Sequence, residues 1–476
     1  MPLDVATLAH SLHAEVVETH ISWILLAGEF AYKIKQPVRL PFVDYSSLDS
    51  RRRFCEEEVR LNRALAPSIY LNVVPVTASP GGPVLSGGGA TIDYAVRMRR
   101  FPDGALFSER LAAGSLQTAD IDALARLLAR FHDRAPAAPA GGGFGSASRR
   151  RAAALAALEG IGPFAAKPML ERWVCEQADR LETLWEARAA GGRVRECHGD
   201  LHLSNIIRLG GDVAAFDCIE FDPALRFIDV LDDLAFAVMD FDAAGRGDFA
   251  FRLPNLWLDL TGDHGALPAL RFAVVYRALV RAHVEGLQGN AQAADRYART
   301  ALAWTRAGPR RLSIMHGLPG SGKTHVSQRL LETQRAIRLR SDVERKRLFG
   351  LRMHDDSRAL GVDLYGAAAG ERTYRHLLDV ARMALEADLP VILDAAFLRR
   401  DERQRALAVA REHAAAFEII VCEAPPDVLR RRLQARGGDA SEADVQVLEQ
   451  LRATAQPLDG DELPVAIRAA DILART

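Results

Sequence analysis

Two short stretches carry the residue types that phosphoryl transfer requires. The first, LSIMHGLPGSGKTHVSQRLL, contains Gly317-x-x-x-x-Gly322-Lys323-Thr324 between an apolar run and a helical one. Glycines there let the backbone curl so that successive N–H groups point at phosphate oxygens, at the positive end of the following helix. Gly317, Leu318, Pro319, Gly320, Ser321 and Gly322 would cradle the phosphates of ATP. Lys323 would reach the β- and γ-phosphates, and the Thr324 hydroxyl would hold Mg²⁺. The second stretch, ECHGDLHLSNII followed by VAAFDCIEFD, places His198-x-Asp200-x-x-x-x-Asn205 twelve residues ahead of Asp217. Asp200 would orient and deprotonate an acceptor hydroxyl, while Asn205 and Asp217 hold Mg²⁺ against the phosphates. His198 is expected to pack and hydrogen-bond within the loop.

Each set needs companions. A cation on the phosphates and a carboxylate to hold it are offered by FAYKIKQP and EEEVRLNRAL. Lys33 and Lys35 point to one side of a strand. Glu58, with Leu61 and Leu65 at i+3 and i+7, lies on the inward face of a helix. Lys33 with Glu58 is the preferred ATP-binding pair, with Lys35 and Glu57 as alternatives. In the second half, Asp342 stands where a parallel strand ends, on the side where α/β sheets place ligands, and would accept a hydroxyl proton. A helix N-cap at Ser341 or Asp342 is the alternative. Asp394 ends the next apolar strand and would hold the metal through water, as a Walker B carboxylate does. Arg432 and Arg436, four apart and ahead of Gly437, would close over the phosphoryl group as a lid; a solvated helix face is the alternative. SEAD at 441–444 reads as a capping box after that lid.

The elements that must position these residues fall into two patterns. Residues 14–36 read as two strands, EVVETHISWILL and FAYKIK, followed by a charged helix over SLDSRRRFCEEEVRLNRALA and by strands LNVVPVTA and TIDYAVRMRRF. A helix is expected from Thr118 to Asp133, a flexible linker over 134–151 and two helices over 264–307. After 307–311, strands LSIMHG, AIRLR, LPVILDAAF and AFEIIVCEA alternate with helices, which indicates a parallel sheet. The chain of 476 residues therefore divides at 306/307 into a domain over 1–306, with an N-lobe to about residue 100 and a C-lobe from about 101, and a P-loop domain over 307–476.

Bulk properties exclude several classes. Basic and acidic residues number 61 and 62, a net charge of −1, so no overall field draws the chain to nucleic acid or a membrane surface. Only five basic residues are lysine, and Lys33, Lys35 and Lys323 lie in the motifs above. Five scattered cysteines lack CxxC spacing, which suits a reducing cytoplasm rather than a disulfide or zinc framework. The N-terminus lacks signal-peptide character, and ISWILLAGEFAY is broken by Glu29, well short of the ~20 residues that span a bilayer. A soluble protein with no membrane partner is expected.

The motifs carry two resemblances. HGDLHLSN, FDCIE, YAVRMRRF and LARFHD (128–133) resemble the catalytic loop, metal-binding strand, hinge strand and C-lobe approach of the aminoglycoside phosphotransferase and choline kinase family, over about residues 15–300. That implies an α+β, bilobed, protein-kinase-like fold and a small-molecule hydroxyl acceptor, with Asp229 where the family has an Asp bracing the loop. No GxGxxG stands between the first two strands. GLPGSGKT, Asp342-x-x-Arg345, Asp394 and Arg432-x-x-x-Arg436-Gly437 resemble the P-loop kinases related to phage-type polynucleotide kinases and zeta toxins. That implies an α/β P-loop domain in which Asp342 is the general base, Arg345 contacts a substrate phosphate and Arg436 stabilises the transition state. Together the halves resemble aminoglycoside phosphotransferase/ATP-binding fusions, which implies a kinase using ATP and Mg²⁺ at two sites. The alternatives are a nucleotide-responsive regulator with one silent half, or a P-loop half that phosphorylates nucleic-acid 5′-hydroxyls or acts like a toxin. No basic–aromatic stripe supports a polynucleotide.

Overall fold

The computed structural model describes residues 3–474 apart from 41–42, 140, 358, 360–363, 365 and 436–439. The chain forms two compact units, one of residues up to Ala152 with Glu182–Ala237, the other of Ala153–Leu181 with the residues from Val238 on.

The first unit is built on an antiparallel sheet. Its strands are β1 (Glu15–Glu18), β2 (Ser22–Ala27), β3 (Phe30–Lys35), β6 (Tyr70–Ser79), β7 (Gly82–Leu85) and β8 (Thr91–Arg99), in the order β1-β2-β3-β8-β6-β7; a short ribbon of β4 (Arg39–Leu40) and β5 (Val43–Asp44) stands apart. The stretch expected as one strand from residue 14 is two, because Thr19 closes a turn: its backbone N–H donates to the Ser22 carbonyl at 2.8 Å, and its hydroxyl accepts from the Ser22 N–H at 3.0 Å. Side chains alternate between two apolar layers. Leu25, Ile34, Val76 and Ala95 pack with Leu8 on one face, and Ala31, Val96 and Met98 pack with Cys55 and Val59 on the other.

Cys55 and Val59 come from the helix Leu48–Asn62, whose N-terminus is capped by the Ser47 hydroxyl at 3.1 Å from the Ser50 N–H. Its buried face also carries Arg51, Glu58 and Asn62. Burying charges on this scale requires partners, and Arg51 finds Asp93 at 2.9 Å. Further strands are β9 (Val194–Glu196), β10 (Ile206–Leu209), β11 (Asp212–Ala215) and β12 (Phe227–Asp229), which pair as β10–β11 and β9–β12. The expected linker over 134–151 is partly ordered. Ala138 and Glu196 exchange backbone bonds with Val194 and Pro136, and a helix begins at Ala147.

The second unit is built on a parallel sheet of β13 (Arg311–His316), β14 (Ile337–Arg340), β15 (Val391–Asp394), β16 (Ala416–Val421) and β17 (Ala466–Arg468), in the order β14-β15-β13-β16-β17. Four of these match the apolar runs of the sequence; β17 has three residues, too few to register as a hydrophobic pattern. The chain lays β14 and β15 on one side of β13 and β16 and β17 on the other, and the crevice beyond its C-terminal end is where such sheets take ligands. The helices Gly247–Thr261, Leu270–Leu287 and Ala291–Thr305 belong to this unit. After 439, the helix starts at Val445 and is capped by Asp444, whose Oδ1 accepts from the Val447 N–H at 2.9 Å, so SEAD does not open it through Ser441. Among the described residues, no helix is long and apolar enough to cross a membrane.

Candidate functional site

In the first unit, β3 delivers two lysines to one cluster of acids. Lys33 Nζ lies 2.9 Å from Glu58 Oε1 and 2.5 Å from Asp217 Oδ1. Lys35 Nζ lies 2.7 Å from Glu58 Oε2 and also meets Glu220. Glu58 thus takes one lysine on each oxygen, while Glu57 turns away to Arg60 at 2.7 Å and Arg226 at 2.8 Å. Burial acts to lower the lysine pKa values, but the carboxylates outweigh it and hold both ammonium groups well above their usual range. Burial likewise acts to raise Glu58, and the two lysines overcome it, keeping the carboxylate charged.

Asp217 adopts a left-handed backbone, φ +65°, which turns its side chain out of the run of β11. Two anchors hold that turn: the Asp217 N–H donates to Tyr70 Oη at 3.2 Å, and the Cys218 N–H donates to Asn62 Oδ1 at 3.0 Å. The β10–β11 hairpin returns the chain to its start, so the Phe216 N–H donates to the Asn205 carbonyl at 2.9 Å. Asn205 Nδ2 in turn donates to the Asp200 carbonyl at 2.9 Å. Asp200, Asn205 and Asp217 are thereby tied into one bonded loop, with Lys33 on Asp217. His198 is fully buried, its Nε2 at 2.8 Å from the Phe216 carbonyl.

The loop is braced by Asp233, not Asp229. Asp233 accepts from the N–H groups of Gly199 at 2.9 Å and His198 at 3.2 Å, and lies 3.1 Å from His132 Nε2. Asp229 is instead gripped by Arg188 at 2.7 Å and Arg150 at 3.2 Å. His132, Cys197 and Asp233 have the spacing of a metal site, but the N–H donors already on the Asp233 oxygens make the trio a hydrogen-bonded brace. Glu220 was also unassigned by sequence reasoning. Tyr45 Oη donates to it at 2.5 Å beside Lys35; its signal was an acid three residues after Asp217 in FDCIE, and nothing in the spacing said which lysine it faces.

The second unit holds a cavity of about 1040 Å³ lined by Gly320–Thr324, Asp342, Arg345, Asp394 and Arg432. Gly317 (φ +148°) packs so closely that a Cβ would stand 2.2 Å from the Cys422 carbonyl oxygen, and this fixes where the loop leaves β13. Lys323 Nζ folds back onto the carbonyls of Gly317 at 2.9 Å and Leu318 at 3.0 Å. Asp394, buried at the end of β15, accepts from the Ser327 hydroxyl at 3.0 Å. Arg432 reaches the Gly320 carbonyl at 3.0 Å; Arg436 and Gly437 lie outside the described residues. The helix Ser341–Leu348 has Arg340 at its cap position with no side-chain cap bond. Asp342 therefore does not serve as the cap; it lies 3.2 Å from Arg345 Nη1, and both face the cavity. Sequence reasoning did not reach Tyr374, Arg399 and Arg405, which also line the cavity and come from elements without a motif.

Comparison with known proteins places both units. The model of the phosphotransferase enzyme family matches residues 48–232, and that of an AAA domain matches 312–458. Among solved structures, similarity extends to a glucosamine kinase in complex with glucosamine, ADP and inorganic phosphate (18% identity, 61% of this chain and 79% of that one, TM-score 0.39). It also extends to a choline/ethanolamine kinase family protein from Mesorhizobium loti (14% identity, 62% and 92%, TM-score 0.35). The chain is 31% identical over 456 residues to Rv2004c of Mycobacterium tuberculosis and Mb2027c of Mycobacterium bovis, both carried as uncharacterized proteins, covering 92% of this chain and 89% of each relative. The chain belongs to the family of these mycobacterial proteins and joins, in one polypeptide, a phosphotransferase-family domain to an AAA-type P-loop domain: it is an ATP-dependent phosphotransferase.

Proposed function

We propose that the protein carries two Mg·ATP sites, each transferring the γ-phosphoryl group to a hydroxyl acceptor, within functional domains over 1–306 and 307–476. The observation that carries this reading is that each unit gathers a phosphate-directed lysine and a metal-type carboxylate: Lys33 with Asp217 in one, Lys323 with Asp394 in the other.

In the first site Lys33, held by Glu58, takes the phosphates, and Asp200 accepts the acceptor's proton as its oxygen attacks. Asn205 and Asp217 suit Mg²⁺, offering an amide and a carboxylate oxygen from one bonded loop. In the second site the P-loop N–H groups and Lys323 take the phosphates, Asp342 is the base, and Arg345, Arg432 and Arg436 bear on the transferred group and its acceptor. Thr324 and Asp394 suit the metal there. Bound Mg²⁺ supplies charge neutralisation on the phosphate oxygens. The first acceptor is a small molecule; for the second, the balanced charge gives a nucleic acid no support. Five free cysteines fit a cytoplasmic setting.

The test is a screen of small hydroxyl compounds and 5′-hydroxyl oligonucleotides with γ-labelled ATP, run on Asp200→Asn and Asp342→Asn. Each variant should lose the transfer of its own half, by roughly 10²–10⁴-fold, and keep nucleotide binding. Unchanged transfer in both would overturn the assignment.

A further inference from the structure

Residues 233–311 are matched by neither family model, yet one stretch of them bears on the P-loop cavity. The helix Ser341–Leu348 carries Asp342 and Arg345 on its cavity side and has only eight residues. So short a helix does not hold itself in place; its direction is set by what its buried side meets.

That side meets residues 247–264. Glu344 is fully buried, and each of its oxygens takes an imidazole: His264 Nε2 at 2.9 Å on Oε1 and His376 Nε2 at 3.0 Å on Oε2. Arg347 also bonds Glu344 and runs on to the carbonyls of Asp259 at 2.5 Å and Leu258 at 3.3 Å. Those carbonyls lie in the last turn of Gly247–Thr261, where the Leu258 carbonyl also accepts from the Gly262 N–H at 2.8 Å. The strand that leads into the Asp342 helix is held from the same quarter. β14 is an edge strand, and Asn255 pairs with it as a neighbouring strand would. Its Oδ1 accepts from the Arg338 N–H at 2.6 Å, and its Nδ2 donates to the Ala336 carbonyl at 2.9 Å. Both ends of the β14–helix junction are therefore fixed from outside the P-loop motif.

We propose that 247–264 is a positioning element of the P-loop site, in which His264, acting through Glu344, sets the helix that presents Asp342 and Arg345 to the acceptor. The proposal rests on the reading of Asp342 as the base. A carboxylate with an acceptor-directed arginine one turn away is useful only in one orientation, and a displacement near 1 Å is costly to transfer. Nucleotide binding depends instead on the loop after β13 and the start of the helix Lys323–Gln334; the element meets that helix through Arg252, 2.7 Å from Glu332, nine residues beyond Lys323.

The experiment uses the full-length chain carrying Lys33→Met to silence nucleotide binding at the first site. Three readouts are taken: affinity for a fluorescent ADP analogue, the rate of phosphate release from Mg·ATP with water as the probe acceptor, and hydrogen–deuterium exchange resolved by peptide. His264→Ala should change ADP-analogue affinity by less than about threefold, slow phosphate release by about tenfold or more, and speed exchange over 341–348 but not over 312–324. His264→Gln, whose amide can still donate to Glu344, should recover most of the rate. Unchanged exchange over 341–348 would overturn the proposal. So would a rise in exchange over 312–324 together with a parallel loss of affinity, which is general loosening. Asp342→Asn judges the underlying reading separately: if it releases phosphate at the parental rate the base assignment fails, and the exchange pattern of His264→Ala alone decides the positioning claim.

Discussion

At the scale of single residues, two lysines two positions apart share one glutamate and have different duties. Lys33 reaches Asp217, whose side chain is 43% exposed, whereas Lys35 is wholly enclosed between Glu58 and Glu220. Lys33→Met should therefore lower kcat/KM for first-site transfer by roughly 10²–10³-fold. Lys35→Met leaves the buried Glu220 carboxylate without its cation and Glu58 with one lysine instead of two, and should cost about 3–5 kcal/mol of stability, read as a lower urea midpoint. If Lys35→Met unfolds like the parent, Lys35 is not the structural member of the pair. In the P-loop, Gly317→Ala forces a methyl against the Cys422 carbonyl and should weaken nucleotide affinity by about tenfold or more, measured by titration with the ADP analogue. The sequence made these motif residues legible because each has a fixed chemical task at a fixed spacing. Glu220 and Asp233 were not: VLDDL offers several acids, and only the packed loop shows that Asp233, and not Asp229, meets the His198 and Gly199 N–H groups.

At the scale of elements, polar residues on buried faces do most of the positioning. Asn62, four after Glu58 on one helix face, bonds the Glu58 carbonyl at 2.8 Å and the Cys218 N–H, so one helix aligns both the acid for Lys33 and the turn at Asp217. Arg188 plays the matching role for Asp229. Arg188→Met leaves the buried Asp229 carboxylate with one arginine, Arg150, instead of two and should cost about 3 kcal/mol, seen as a fall in the chemical unfolding midpoint; a change under about 0.5 kcal/mol would contradict it. Elements with a long hydrophobic period, such as Leu48–Asn62 and Thr118–Arg134, were readable in advance. The break at Thr19 and the three-residue β17 were not, because one hydroxyl-closed turn or one short edge strand leaves no periodic trace.

At the scale of the whole molecule, stability is tied to pH through buried acids. In Asp229, Asp233 and Glu344, burial acts to raise the pKa, and partners overcome it: Arg188 for the first, His132 for the second, His264 and His376 for the third. All three are held below their ordinary range. A folded-state pKa lower than the unfolded one contributes stability that is complete above the unfolded value and lost as pH falls. Asp93, Asp259 and Glu402, raised chiefly by burial, act in the opposite sense. The urea midpoint should stay nearly level from about pH 8 to about pH 5 and fall steeply below about pH 4; a midpoint held from pH 6 to pH 3 would contradict this. On the proposed reading the whole chain holds two nucleotide pockets. Calorimetric titration of the intact protein with Mg²⁺ and a non-hydrolysable ATP analogue tests it most directly. Two molecules should bind per chain, one lost with Lys33→Met and the other with Lys323→Ala. Saturation at one per chain, or both molecules lost to a single substitution, would contradict it.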